Sequence, residues 1–428
     1  MAEALPAPPA AFARERGIIL CIGAVQFINI LDFMVVTPLG PDFARALGIG
    51  QDHLGVVTGS YTAAACVAGL VGSTFLDRFD RRRALAVAML GLVVGTAAAG
   101  FATGLGSLVA ARMLAGLFGG PATSLALSVV ADTIPPERRG RAMGAVMGAF
   151  SAASVLGVPA GLWLARVGTW HTPFFAVAGL GLLVTLLAVR LLPPMHGHHA
   201  SAGEESARQL FRPPLRARVL GGYAMTLCIM AGSFSVIPNL SPYLQQNLHF
   251  PRPAIEGLYL VGGVASFVAM RWIIGPLTDR AGATASAAIG TVLMSALLWI
   301  TFVPVPPPLP VRVLFPCYLV FMSFRNVAYK ALTSRVPPPT LRARYLSFQS
   351  AMEHLAASIG AGGSSLLLSE GPGHTLVGMP RIAIGAIGMA WLALLLMARL
   401  ERTLLLGGGG QALPRVGSPP GSPPPPRG

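Results

Sequence analysis

The chain has 428 residues, of which 54% are hydrophobic and only 11% charged. A soluble protein carries about a quarter charged residues, so composition excludes an ordinary soluble enzyme or binding domain and implies an integral membrane protein. The formal net charge of +15 does not point to nucleic acid, because the basic residues lie in short loops between apolar runs and not on one domain face.

In chain order, residues 1–16 form an arm without the hydrophobic core and cleavage site of a signal peptide. Twelve apolar runs follow, each near the ~20 residues that a bilayer core demands of a helix: 17–39, 53–76, 84–103, 106–130, 142–165, 173–192, 219–245, 255–278, 284–303, 311–334, 345–369 and 378–400. The polar segment 193–218, with Pro193-Pro194 and His196-Gly197-His198-His199, separates six spans from six and reads as a linker. No acidic or cysteine residue completes a metal site around those histidines. The four cysteines all fall inside apolar runs and read as small buried hydrophobes. The Gly- and Pro-rich tail, 404–428, is expected to be disordered.

If odd spans run outward, 22 Lys and Arg residues fall in cytoplasmic segments, five in outer segments, and four within spans. That asymmetry places both termini in the cytoplasm. The domain reading is therefore an arm (1–16), an N-terminal six-helix bundle (17–192), a linker (193–218), a C-terminal six-helix bundle (219–403) and a tail (404–428).

The loop after the second span is the densest charged segment. Asp77-Arg78-Phe79-Asp80-Arg81-Arg82-Arg83 puts six charges into seven residues. It has an echo. Ser73-Thr74-Phe75-Leu76-Asp77-Arg78-Phe79-Asp80 aligns with Gly275-Pro276-Leu277-Thr278-Asp279-Arg280-Ala281-Gly282, and Ile134-Pro135-Pro136 with Val336-Pro337-Pro338, both at an offset of 202. The chain is built twice, as in transporters made of parallel repeats.

These residues resemble the major facilitator superfamily and, within it, the twelve-span drug:proton antiporters. The resemblance covers about residues 17–400. The loop matches the family's Gly-x-Leu-x-Asp-Arg-x-Gly-Arg-Arg with Ser73 and Asp80 in place of the two glycines. Arg112-Met113-Leu114-Ala115-Gly116 matches a fourth-span Arg-x-x-Gln-Gly with Ala115 for Gln. Gly157-Val158-Pro159-Ala160-Gly161 is a loose form of the fifth-span antiporter motif. Asp32-Phe33-Met34 with Pro38-Leu39-Gly40-Pro41 is similar to the first span of bacterial efflux carriers, and Arg325-Asn326-Val327-Ala328-Tyr329 to sugar- or drug-efflux permeases. The resemblance implies that Asp77, Arg78 and Arg81, with Asp279 and Arg280 in the second copy, form a cytoplasmic gate locking the two halves.

Ionisable groups inside a span cost a few kcal/mol or more, which makes them functional candidates. At 1.5 Å per residue, Asp32 lies roughly 10 Å and Arg112 roughly 9 Å below the outer surface. The two can meet. Desolvation favours the neutral acid there and a guanidinium favours the carboxylate, so Asp32 is the candidate proton carrier and Arg112 its modulator. Arg325 and Glu353 share a depth of roughly 12–14 Å from the inner surface and are expected to neutralise each other, with His354 beside them. Lys330 and Arg271 are expected to snorkel to the cytoplasmic surface. Pro238 and Pro242 predict a broken, cavity-lining seventh helix carrying Asn239, Tyr243 and Gln245.

The expected fold is all-α: twelve transmembrane helices in two pseudo-symmetric six-helix bundles around a central cavity. The expected function is a secondary active transporter of the bacterial inner membrane, a proton-coupled efflux carrier of a drug-like compound or metabolite, acting as a monomer in the lipid bilayer with protons and a small-molecule substrate. It needs no cofactor. A sugar or metabolite uniporter or importer of the same fold and a transport-dead sensor are the alternatives. An ATP-driven pump is argued against by the absence of a Gly-x-x-x-x-Gly-Lys-Ser/Thr loop. A membrane enzyme is argued against because Asp52, His53 and His171 converge on no catalytic pattern.

Overall fold

The computed structural model describes residues 9–72, 79–195, 217–304, 307–336 and 342–407. Twelve long helices cross between two ends: α1 (Pro9–Leu47), α2 (Leu54–Gly72), α3 (Arg81–Gly100), α4 (Leu105–Thr133), α5 (136–167), α6 (Thr172–Leu191), α7 (Ala217–Gln246), α8 (255–281), α9 (Ala283–Phe302), α10 (Val311–Thr333), α11 (Arg342–Leu367) and α12 (Met379–Gly407). Eleven are long and apolar enough to cross a membrane. The twelfth, α11, has the length (26 residues) but carries Gln349, Glu353 and His354. The described parts of the expected linker and tail end at Met195 and Gly407, so both calls lie mostly outside the described residues.

Because the spans alternate, the start of α1 and the finish of α12 share one end of the molecule, here called the termini end. Large apolar side chains such as Trp163, Leu186, Trp272 and Leu395 are exposed. In water this would be a liability; in a bilayer, lipid covers it.

Two seams join the halves. Along α2 and α11 the backbones nearly touch: a Cβ placed on Gly55 would lie 2.1 Å from the Ala361 carbonyl oxygen. Small residues at such a seam allow close packing of membrane helices. The second seam, α5 against α8, is different. Each helix contains one π-helical turn, Ala153–Gly157 and Met270–Ile274, and a Cβ on Gly263 would meet Val155 at 3.2 Å.

Helix α7 corrects the sequence reading. It runs unbroken through Pro238 and Pro242. Each proline removes one ladder hydrogen bond, and a membrane helix tolerates that where neighbouring groups satisfy the freed backbone. Beside them the Asn239 Nδ2 donates to the Ser235 carbonyl at 2.9 Å and to Ser364 Oγ at 2.9 Å, while Ser241 Oγ donates to the Pro38 carbonyl across the seam, so the packed neighbours hold this stretch of helix in place.

The duplicated loop is asymmetric. In the second copy Gly282 has φ +89, a conformation that only glycine adopts freely. In the first copy Asp80 has φ −55 and caps α3: its Oδ1 accepts from the Arg83 N–H at 2.9 Å, and its Oδ2 accepts from the Met195 N–H at 2.6 Å. Asp80 replaces backbone freedom with a helix cap.

Candidate functional site

Asp32 and Arg112 meet, as their depths predict. Both are 1% exposed at the side chain. Arg112 Nη1 donates to Asp32 Oδ1 at 3.0 Å and Oδ2 at 3.1 Å, and Nη2 reaches the Asp32 carbonyl at 3.4 Å. Thr96 Oγ1, on α3, lies 2.7 Å from Asp32 Oδ1 and 2.8 Å from the Leu92 carbonyl, so its single proton is contested between the two.

The support around this pair was not anticipated from the sequence. The Arg112 guanidinium sits 4.6 Å above the Tyr61 ring, a cation–π geometry. Tyr61 donates its hydroxyl proton to Asn29 Oδ1 at 3.2 Å, and Asn29 Nδ2 donates to the Gly119 carbonyl at 2.7 Å. The α2–α4 approach that permits this is close: a Cβ on Gly116 would lie 2.1 Å from the Tyr61 carbonyl oxygen. One signal was available. Asn29 precedes Asp32 by three positions and therefore shares its helix face.

The same cluster touches the other half. The Phe33 ring lies 5.3 Å from Tyr61 and 5.8 Å from Phe234 on α7. Arg112, Tyr61, Phe33 and Phe234 thus form a continuous packed path from the ion pair to the opposite bundle.

In the C-terminal half the expected pair does not form. Glu353 Oε1 contacts Lys330 Nζ and accepts from the Tyr329 hydroxyl at 2.8 Å. Gln349 Nε2 donates to the Tyr329 oxygen at 2.8 Å. Depth alone had matched Arg325 with Glu353. The direction each side chain takes around its helix instead gives Glu353 to Lys330. Lys330 is 57% exposed and Glu353 25%. Arg325 is 6% exposed, and His354, next to Glu353, is half-buried. Arg271 is exposed in the π-helical turn of α8, as a snorkelling residue would be.

Asn239, Tyr243 and Gln245 occupy the end opposite the termini. Asn239 is held as described above, the Tyr243 hydroxyl donates to the Thr301 carbonyl at 3.3 Å, and Gln245 Nε2 donates to Ser241 Oγ at 3.1 Å. A cavity of ≈ 10 Å³ nearby, lined by Leu240, Leu244, Phe302 and Tyr318 among others, has room for a single water at most. This end is packed shut.

Of the expected gate residues, Asp77 and Arg78 lie outside the described residues. Arg81 pairs with Asp132 of its own half at 2.6 Å, and Asp279 and Arg280 are exposed near the end of α8. The ion pairs that cross between halves among the described residues are all at the far end. Arg252 holds Asp42 through two nitrogens, at 2.8 and 2.6 Å, and lies 3.9 Å from Glu256, which is 3.3 Å from Arg166. The charges alternate in sign, and the chain of contacts passes from one half to the other twice.

A second far-end tie is sensitive to acid. After α11, β1 (Ser369–Glu370) pairs antiparallel with β2 (Leu376–Val377). Glu370 Oε2 accepts the Gln51 N–H at 3.0 Å across the halves. A hydrogen bond with His374 holds the Glu370 carboxyl below its usual range. Partial burial works against this, and the Gln51 amide adds to it. A depressed carboxyl stabilises above its unfolded value, and that stability is lost as pH falls through the lowered folded value. The tie should therefore persist through mild acid and release only below the ordinary carboxylate range. Hydrogen exchange at the Gln51 amide, corrected for its intrinsic pH dependence, checks this; release near pH 6 would contradict it.

The sequence pattern of the Major Facilitator Superfamily matches residues 22–361. The chain is 26% identical to a chloramphenicol resistance protein of Streptomyces lividans over 88% of its own length and 92% of the relative's. It is 27% identical to the purine ribonucleoside efflux pump NepI of Escherichia coli O1:K1 over 58% of its length and 61% of the pump's. Its fold is similar to that of a bacterial homolog of the human lysosomal transporter Spinster, with a TM-score of 0.72 at 15% identity, covering 92% of this chain and 98% of that one. With twelve helices in two joined bundles, a buried ion pair in one of them and this pattern across most of its length, the chain belongs to the Major Facilitator Superfamily and is a multi-pass membrane transporter, not an enzyme.

Proposed function

We propose that the protein is a proton-coupled efflux carrier of the bacterial inner membrane with cytoplasmic termini. The observation that carries this reading is the Asp32–Arg112 pair, sealed from water at membrane depth and linked through Tyr61 and Phe33 to Phe234 of the other half. A proton on Asp32 removes the charge that holds Arg112. The freed guanidinium then has to find other acceptors, and the aromatic path passes that shift to the seam. Each 100 mV of membrane potential supplies about 2.3 kcal/mol per charge moved, enough to drive such a cycle without nucleotide hydrolysis. The arginine asymmetry supports the orientation, and relatives that are efflux pumps, such as NepI, support efflux.

In this reading the far-end ion pairs close the outer face and the carrier rests open toward the cytoplasm, the side on which Lys330 and Glu353 are partly exposed. Asn239, Tyr243 and Gln245 belong to the outer closure, and Arg325, Glu353 and His354 to the substrate side. The gate at Asp77, Arg78, Arg81, Asp279 and Arg280 engages in the opposite state.

The test combines a resistance screen with flux measurements in proteoliposomes, using a compound the screen identifies. Wild type should export it in an uncoupler-sensitive manner, and Asp32→Asn should lose most of the gradient-driven flux, at least tenfold. Undiminished proton-driven flux in Asp32→Asn would sink the reading.

A further inference from the structure

One buried charge has no partner. Arg325 is 6% exposed in the middle of α10, eight residues or roughly 12 Å from the termini end of that helix. Its guanidinium makes no ion pair and no hydrogen bond among the described residues, and Nη2 is completely enclosed without an acceptor. Arginine cannot shed its charge and presents five donors in a fixed fork. A buried charge without compensation is costly, and an unmatched guanidinium at membrane depth marks a place where a ligand supplies the missing charge.

The contrast with the other half sharpens the point. Arg112, equally buried, has Asp32 beside it. Glu353, the carboxylate nearest in depth to Arg325, is occupied by Lys330 and Tyr329. Tyr329 follows Arg325 by four positions and so shares its face of α10; it bonds Glu353, which together with Lys330 is partly exposed. That exposed pair lies about one helical turn from the guanidinium.

We propose that Arg325 binds an oxyanion, a carboxylate or a phosphate monoester, carried by the transported molecule, so that the cargo is an organic anion. This rests on the transport reading above and adds the chemical class of the substrate. The planar fork of arginine matches both oxyanions through two parallel hydrogen bonds. The cytoplasmic Lys330 attracts the anion to the opening, and Arg325 holds it.

The experiment is thermal unfolding of the purified full-length chain in detergent, with no pH gradient, at matched ionic strength. The probes are benzoate, phenyl phosphate, the neutral isostere benzamide, and chloride. Benzoate or phenyl phosphate should raise the Tm of wild type by several degrees at millimolar concentration, and the stronger of the two identifies the oxyanion. Benzamide and chloride should not. Arg325→Gln should weaken the apparent affinity at least tenfold, and Arg325→Lys should retain part of it. Without ligand, Arg325→Gln should be no less stable than wild type, because the charge it removes is unpaired. The inference is overturned if neither organic anion stabilises wild type, if they stabilise Arg325→Gln equally, if only chloride acts, or if the empty Arg325→Gln protein unfolds while Arg325→Lys binds no anion. Binding is read without a gradient. A carrier that binds these anions but does not exchange them for protons thus refutes the coupling alone, and one that shows coupled flux with no anion shift refutes only this inference.

Discussion

Arg112→Gln should destabilise the protein by about 3–5 kcal/mol, the cost of leaving a buried carboxylate without its partner. Asp32 has 1% of its side chain exposed and would keep only Thr96, whose hydroxyl also faces the Leu92 carbonyl. Tyr61 would lose the cation stacked on its ring, and with it a contact that helps fix the Phe33–Phe234 junction. The double variant Asp32→Asn/Arg112→Gln removes both charges and should recover most of the loss, since paired removal of buried charges is often near neutral. Thermal or denaturant unfolding of the four proteins gives the coupling energy directly. Independent, additive effects would show that the two groups do not form the pair described.

Arg252→Ala should open the far end. Arg252 is 21% exposed and binds Asp42 of the other half with two nitrogens, while also facing Glu256. Truncating one partner of a partly buried, doubly bonded charge pair costs about 2–5 kcal/mol. If half of that falls on the closed state alone, the closed-to-open ratio shifts by roughly five- to seventyfold. Ser241 is 1% exposed and sits within the same closure, bonded to the Pro38 carbonyl. In a background with the four native cysteines replaced by serine, Ser241→Cys should react slowly with a membrane-impermeant maleimide added from outside. Adding Arg252→Ala should speed that reaction at least about fivefold. An unchanged rate would show that the pair does not hold the halves together.

The spans were legible because hydrocarbon imposes a length, and any run of about 20 apolar residues reports it directly. The Asp32–Arg112 pair was legible because α1 and α4 carry one deep charge each near the same level, which leaves few partners to choose from. In the C-terminal half, depth matched Arg325 with Glu353 but said nothing of direction around the helix. Lys330, five residues further on, faces α11 and takes the carboxylate. The prolines of α7 were read as breaks because the sequence does not show the packed neighbours among which the helix runs on unbroken. Tyr61 and Thr96 were missed because one polar residue in an apolar run carries no label until its partner is placed beside it. The far-end chain of Asp42, Arg252, Glu256 and Arg166 draws on the ends of α1, α5 and α8 and the turn before α8, with no common spacing, so no motif announces it.

The far-end closure also makes the two faces of the carrier unequal toward any ligand. A protein held shut on one side by Asp42–Arg252 and Gln51–Glu370 spends most of its time ready for a molecule arriving from the other. From that side an inhibitor binds with nearly its intrinsic affinity. From the closed side its apparent affinity is weakened by the fraction of time that side is open. Potency measured in inverted vesicles and in intact cells should therefore differ for one and the same compound, with the difference set by the strength of the far-end ion pairs and not by anything at the binding site.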